Sequence, residues 1–284
     1  MTQETSGPAP GARNIPSLLT SLHEGKRSCT VVLSGAPGGV VHLRDGLVVG
    51  METPGAPGVE VLLLKSGRLT EEEWAAVRTT GADDEHLARE LVARGLLGGA
   101  ELEVFVLGAL FDAAFALALT RPESWEVTNP RPVLHTGTGV PPERIVAETS
   151  RRLGHLADEP GATARFARDR IQPATAARPP GPTSRLPRRH QNLLAAVDGR
   201  RTPRDIAFSL GRGLYAVMVD LRHLLALGLV QHPAPAAGKG RPSTAPRAPL
   251  PGPAAPAPAA LPRRVPGRSV PETTAAPDSP GARP

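Results

Sequence analysis

Apolar and polar residues alternate along this chain with periods that change from segment to segment. Ile15, Leu18, Leu19 and Leu22 share one helical face, with Asn14 placed to cap the helix and Gly25 just past its end, so the spacing predicts a helix over 15–25. Three strand-like runs follow: Cys29–Leu33, Val40–Leu43 and Leu47–Met51. The last two flank Asp45-Gly46, a dipeptide that favours a tight hairpin turn. Beyond the loop TPGAPG the pattern turns helical. Val59–Ser66 stops at Gly67, and Thr70 with Glu73 forms a capping box for the helix EEEWAAV. His86–Arg94 ends at Gly95. GRLTEEEW at 67–74 is echoed weakly by GLLGGAEL at 95–102. Ala100–Thr120 is a long helix, apolar on most faces, as expected of a core element or a partner interface. Trp125-Glu126-Val127 suits a short strand, and Pro142-Glu143 opens a helix that carries Ile145, Val146, Thr149, Leu153 and Leu156 inward.

The back of the chain has a second helical pattern. Asn192–Val197 stops at Asp198-Gly199, and Thr202-Pro203 caps Arg204–Leu210. Gly211 makes a turn into Leu214–Leu227, where Leu214, Val217, Met218, Leu221, Leu224 and Leu225 recur at helical spacing. Gly228 ends that helix, and Leu229-Val230 starts a strand. Three helices, a glycine turn and a strand match a helix-turn-helix with a wing.

Composition adds boundaries. The chain of 284 residues is long enough for about two domains at ~100–200 residues each. Residues 233–284 hold 15 of the 33 prolines and no aromatic residue, so they cannot bury enough apolar surface to offset their ordering entropy. The expected fold class is α+β, with a mixed domain at 14–170, a linker at 171–187, a winged-helix domain at 188–232, and disordered ends at 1–13 and 233–284.

Charge divides the same way. Residues 1–130 hold 10 basic and 17 acidic side chains, whereas 185–232 hold 8 and 3. A basic back half suits a polyanion partner. Of the 33 basic residues, however, 30 are Arg, as GC-rich codon usage alone produces.

Candidate chemistry is sparse. The sequence has no phosphate-binding glycine motif and no G-x-S-x-G. SGAPGGVV resembles a phosphate loop only in glycine content and reads as a strand loop. The eight His show no metal spacing. Cys29, the single Cys, reads as a buried inert thiol in a strand. We therefore expect no catalytic residues, no cofactor and no metal. No apolar run reaches the ~20 residues of a membrane span, and the N-terminus lacks a signal-peptide core, so a cytoplasmic protein is expected.

The start helix IPSLLTSL, the hairpin VVHLRDGLVVG at 40–50, the two G-x-L helix entries, LARELVARGLL, and VPPERIVAETSRRLGHL at 140–156 together resemble the PATAN domain, a module of bacterial signalling proteins. Asp45-Gly46-Leu47-Val48 and Glu148-Thr149-Ser150-Arg151-Arg152 are the matching elements. The glycine-rich loop SGAPGGV departs from that pattern in being longer. The resemblance implies a regulatory or scaffolding module without known chemistry. DGRRTPRDIAFSLG followed by LRHLLALGLV is similar to winged-helix modules of bacterial regulators, loosely MarR-like, which are also found attached to PATAN domains.

Two functions follow from this. One is a non-enzymatic transcriptional regulator whose winged helix binds double-stranded DNA. Arg200, Arg201 and Arg204 would then meet backbone phosphates, and Arg212, Tyr215 and Arg222 would lie on the outward face of the third helix. Val219 and Ala216 on that face offer little readout, and Asp220 opposes phosphate. The other is a protein-interaction adaptor that docks signalling partners, such as small GTPase or roadblock-type components, without touching DNA.

Overall fold

The computed structural model describes residues 5–6, 14–79, 84–120, 122–157, 161–174 and 186–233, which form a mixed α+β structure. The disordered tail expected at 233–284, except Pro233, and most of the expected linker lie outside the described residues.

The N-terminal half is built on a five-stranded antiparallel sheet in the order β1-β5-β2-β3-β4. Its strands are β1 (Thr5–Ser6), β2 (Cys29–Ser34), β3 (Gly39–Arg44), β4 (Leu47–Glu52) and β5 (Ser124–Thr128). Asp45 and Gly46 both adopt positive φ, 48° and 79°, the conformation of the tight hairpin turn that their sequence favours. Thr5–Ser6 pairs with Val127 and Glu126 of β5, so the expected disordered stretch 1–13 contains one strand. Two residues carry no alternation that would have marked it.

Helices accompany the sheet. They are α1 (Ile15–Glu24), α2 (Val59–Lys65), α3 (Glu71–Arg78), α4 (Asp84–Ala93), α5 (Gly99–Ala118), α6 (Pro142–Leu156) and α7 (Ala162–Phe166). Of these, α1, α5 and α6 supply residues to the core of the sheet. Local chemistry sets several boundaries. Asn14 accepts from the Ser17 amide at 3.4 Å, and Thr70 and Glu73 exchange the reciprocal bonds of a capping box.

The C-terminal helices are α8 (Arg188–Ala196), α9 (Pro203–Leu210) and α10 (Leu214–Ala226). Thr202 and Asp205 make a second capping box at the start of α9. Helix α10 leads into β7 (Val230–Gln231), which pairs antiparallel with β6 (Gln172–Pro173). The strand after the third helix is therefore matched by one that precedes the first. Ile171 is fully buried, so the chain expected to be linker from 171 begins as packed structure.

Helix α5 runs through all three hydrophobic clusters. Leu102 and Val106 pack with Leu63, Trp74, Leu87 and Leu91 of α2–α4. Leu110, Ala113 and Ala114 lie against Val31, Val41 and Val48 of the sheet and Leu19 of α1. Phe115 and Ala116 join Leu193, Ile206, Leu214, Met218 and Leu221 of α8–α10. The two regions separated in the sequence reading thus share a core, and the described residues fall in one compact unit. Burying a ring such as that of Phe115, at 0% exposure, is worth ~1.5–3 kcal/mol relative to leaving it in water.

Candidate functional site

The richest side-chain chemistry among the described residues lies where α5, α6 and α10 meet. Asp112 sits in the apolar stretch of α5 that begins at Val104, with 5% of its surface exposed. Its Oδ1 accepts from Arg152 of α6 at 2.8 Å. Burial pushes its carboxyl above the ordinary Asp range, against the pull of Arg152 and of the backbone amides of Tyr215 and Leu214 at the start of α10. Its Oδ2 has no hydrogen bond of good geometry and lies against Gly213. The N-cap of α10, Gly213, has no side chain to offer, so a carboxylate distant in sequence meets the positive end of that helix.

Arg152 is the hub. Its Nε donates to Glu148 Oε1 at 2.8 Å, and its guanidinium carbon lies 4.8 Å from the ring centre of Tyr215 and 5.6 Å from that of Phe111. Arg151 completes the set with bonds of 2.7 and 2.8 Å to the two oxygens of Glu148. Hydrogen bonds from Arg151, then Arg152, pull the Glu148 carboxyl down to about 2. The E-T-S-R-R segment is therefore a charge ladder at i, i+3 and i+4.

The six residues expected to contact DNA divide into two groups. Arg200, Arg201 and Arg204 stay on the surface. Asp198 Oδ1 accepts from the Arg200 and Arg201 amides at 2.8 and 3.0 Å, and Arg204 lies over Phe208. Arg212, Tyr215 and Arg222 are half-buried and engaged by neighbouring side chains or backbone. Arg212 donates to Asp220 at 2.6 Å, and the same carboxylate meets His190 Nε2 at 3.1 Å. Burial acts to raise the Asp220 pKa, but the bonds from Arg212 and His190 prevail and hold it below the usual range. The Tyr215 ring packs edge-on to Phe115 at 5.5 Å. Arg222 donates to the His155 carbonyl at 2.8 Å. Tyr215 and Arg222 are thus engaged by α5 and α6, whereas Ala216 and His223 on the same stretch of α10 stay exposed. The reason is the apolar content of α10: Leu214, Val217, Met218, Leu221 and Leu224 are all buried, and Tyr215, Val219 and Leu225 pack against the same cluster.

The glycine turn seats this arrangement. Gly211 has φ of 59°, and a Cβ there would stand 2.5 Å from Lys65 Cβ. The turn between α9 and α10 therefore lies directly against the end of α2.

Sequence reasoning passed over Asp112, although one signal was present: it is the single charged residue in the apolar run from Val104 to Thr120. Among the described residues, no group of three or more His, Cys, Asp or Glu could hold a metal ion, and no helix is long and apolar enough to cross a membrane.

Compared with known proteins, the chain has no significant match to any family model, curated protein or solved structure.

Proposed function

We propose that this chain is a non-enzymatic signalling regulator that works through protein contacts. In this reading a PATAN-like module and a winged-helix-like unit form one interaction body. The observation that carries it is the position of Tyr215, held between Phe115 of α5 and Arg152 of α6. A recognition helix must present its first turns to the major groove. Here the start of α10 faces Asp112, so a carboxylate stands where a phosphate would approach. The non-enzymatic part is supported by the pairing of the junction carboxylates with arginines, rather than with a nucleophile or a base. A cytoplasmic location goes with this reading.

A second reading is favoured by one observation. Arg200, Arg201 and Arg204 are exposed, and Arg170 adds positive charge close to Asp205 of α9. A transcriptional regulator could use that face on the phosphate backbone.

One experiment separates the two. The full chain is titrated against a short random duplex by fluorescence anisotropy at ~50 and ~200 mM salt. The interaction reading expects no binding, or weak binding that Arg201→Ala and Arg204→Ala leave unchanged. Tight binding that falls steeply with salt and weakens in those variants would overturn it in favour of DNA.

A further inference from the structure

The glycine-rich loop between β2 and β3, the place where the chain departs from the PATAN pattern, rims a cavity that the proposed function does not use. The cavity has a volume of ≈ 320 Å³ and lies between α1, this loop, the C-terminal half of α5, and α6. Its floor is formed by the buried side chains of Leu19, Leu33, Met51, Ala114 and Ile145. Its mouth is bordered by exposed Pro16, Ala36, Ala118 and Ser150. Small residues, Ala114 and Ala118 on α5, stand on the wall where larger side chains would reach into the space.

The lining decides what fits. None of the described residues around the cavity is ionisable, and a charge buried there would have no partner. Its side-chain polar groups are hydroxyls of Thr120, Thr149 and Ser150. The Thr149 Oγ1 is buried without a hydrogen-bond partner. Protein interiors keep few voids larger than a water molecule, and water needs two to four polar partners to settle. This volume equals that of about ten waters at ~30 Å³ each, and it reaches the lower end of the range for small-molecule pockets, ~300–1,000 Å³. A molecule that fills it removes apolar surface from water on both sides of the contact.

We propose that this cavity binds a small uncharged aliphatic molecule of about eight to twelve carbons with one hydroxyl or carbonyl group. The chain lies over Met51 and Ala114, and the polar end meets the hydroxyls of Thr149 and Ser150. The site does not rest on the regulatory function proposed above and stands or falls separately.

The test uses the full chain and the neutral fluorophore N-phenyl-1-naphthylamine. Its fluorescence should rise saturably with one site per chain, and 1-decanol should displace it at least tenfold more effectively than decanoate. Ala114→Leu fills the floor, and Ala118→Trp obstructs the mouth. Each should weaken binding at least tenfold. Ala118 is exposed, so that variant keeps its fold and decides the matter alone if Ala114→Leu does not fold. Non-saturable fluorescence in the wild-type chain, or unchanged affinity in Ala118→Trp, overturns the site. Equal displacement by decanoate overturns the uncharged class of ligand.

Discussion

Asp112 Oδ2 and Gly213 Cα approach so closely that a methyl group on Gly213 would overlap the carboxylate. This contact joins the long central helix to the start of α10, and the salt bridge from Arg152 limits how far Asp112 can yield. It also explains why a glycine stands at 213 with an ordinary negative φ of −56°: closeness, not backbone conformation, requires it.

Gly213→Ala should therefore destabilise the protein by ~1–3 kcal/mol, the range for forcing an extra methyl into a packed site. The cost should shrink when Asp112 is also replaced by Ala, because the clashing atom is gone. Urea unfolding of the two single variants and the double variant measures the coupling. Additive losses would show that the methyl strikes something else.

The junction carboxylates should respond to pH with opposite signs. Glu148 has a depressed pKa in the folded state, so its stabilisation is present above the ordinary Glu value of 4.5 and is lost as pH falls toward about 2. Glu148→Gln should flatten the acid limb of a plot of urea midpoint against pH, by a modest amount because Arg151, its foremost partner, is largely exposed. Asp112 has a raised pKa, so its ionisation works against folding as pH rises above the ordinary Asp value of 3.8. Relative to Asp112→Asn, the wild-type chain should lose stability through that rise. Parallel curves for the two proteins would contradict the assignment.

Phe115→Ala should cost ~3–5 kcal/mol, the usual range for truncating a buried ring. The ring is fully buried and belongs to the cluster that holds α8–α10. Because α5 passes through all three clusters, calorimetry should show one transition for the described unit in both proteins. A variant that melts in two steps would mean that α8–α10 hold together without Phe115.

The elements were legible in the sequence wherever the determinant is local. Thr70 with Glu73, Thr202 with Pro203, and Asp45-Gly46 each act within four residues, and each does in the structure what its spacing predicts. The short pairings β1–β5 and β6–β7 were not legible, since two residues have no period and their partners lie far along the chain. The docking of α10 was hidden for a related reason. Periodicity identifies Leu214, Val217, Met218, Leu221 and Leu224 as one buried stripe, but it does not say that Tyr215 meets Phe115, a hundred residues earlier. Of the candidate site, the Glu148–Arg151–Arg152 ladder could be read as helical spacing. Its anchor, Asp112, could be seen only as an anomaly in an apolar helix.

Thr149→Val should leave stability unchanged or raise it by ~1 kcal/mol. A buried hydroxyl without a partner carries its desolvation cost, and an apolar group of the same shape does not. Thermal and urea midpoints check this, and a clear loss would mean that the hydroxyl has a partner in solution.

The arginines proposed from sequence should separate by stability alone, before any ligand is added. Arg212 donates to Asp220, whose carboxylate also meets buried His190 and lies 3.6 Å from Arg189. Removing Arg212 takes away the strongest donor to a largely buried acid, so Arg212→Ala should destabilise well beyond the surface range, by ~3–5 kcal/mol at most, since nearby His190 and Arg189 partly compensate. Arg201→Ala and Arg204→Ala remove side chains whose heads are exposed, and each should stay within about 0.5 kcal/mol of wild type. Urea unfolding of the three variants side by side tests the division. If Arg212→Ala is as mild as the other two, the Arg212–Asp220 pair does not hold α10 in place, and Arg212 is again available to an outside partner.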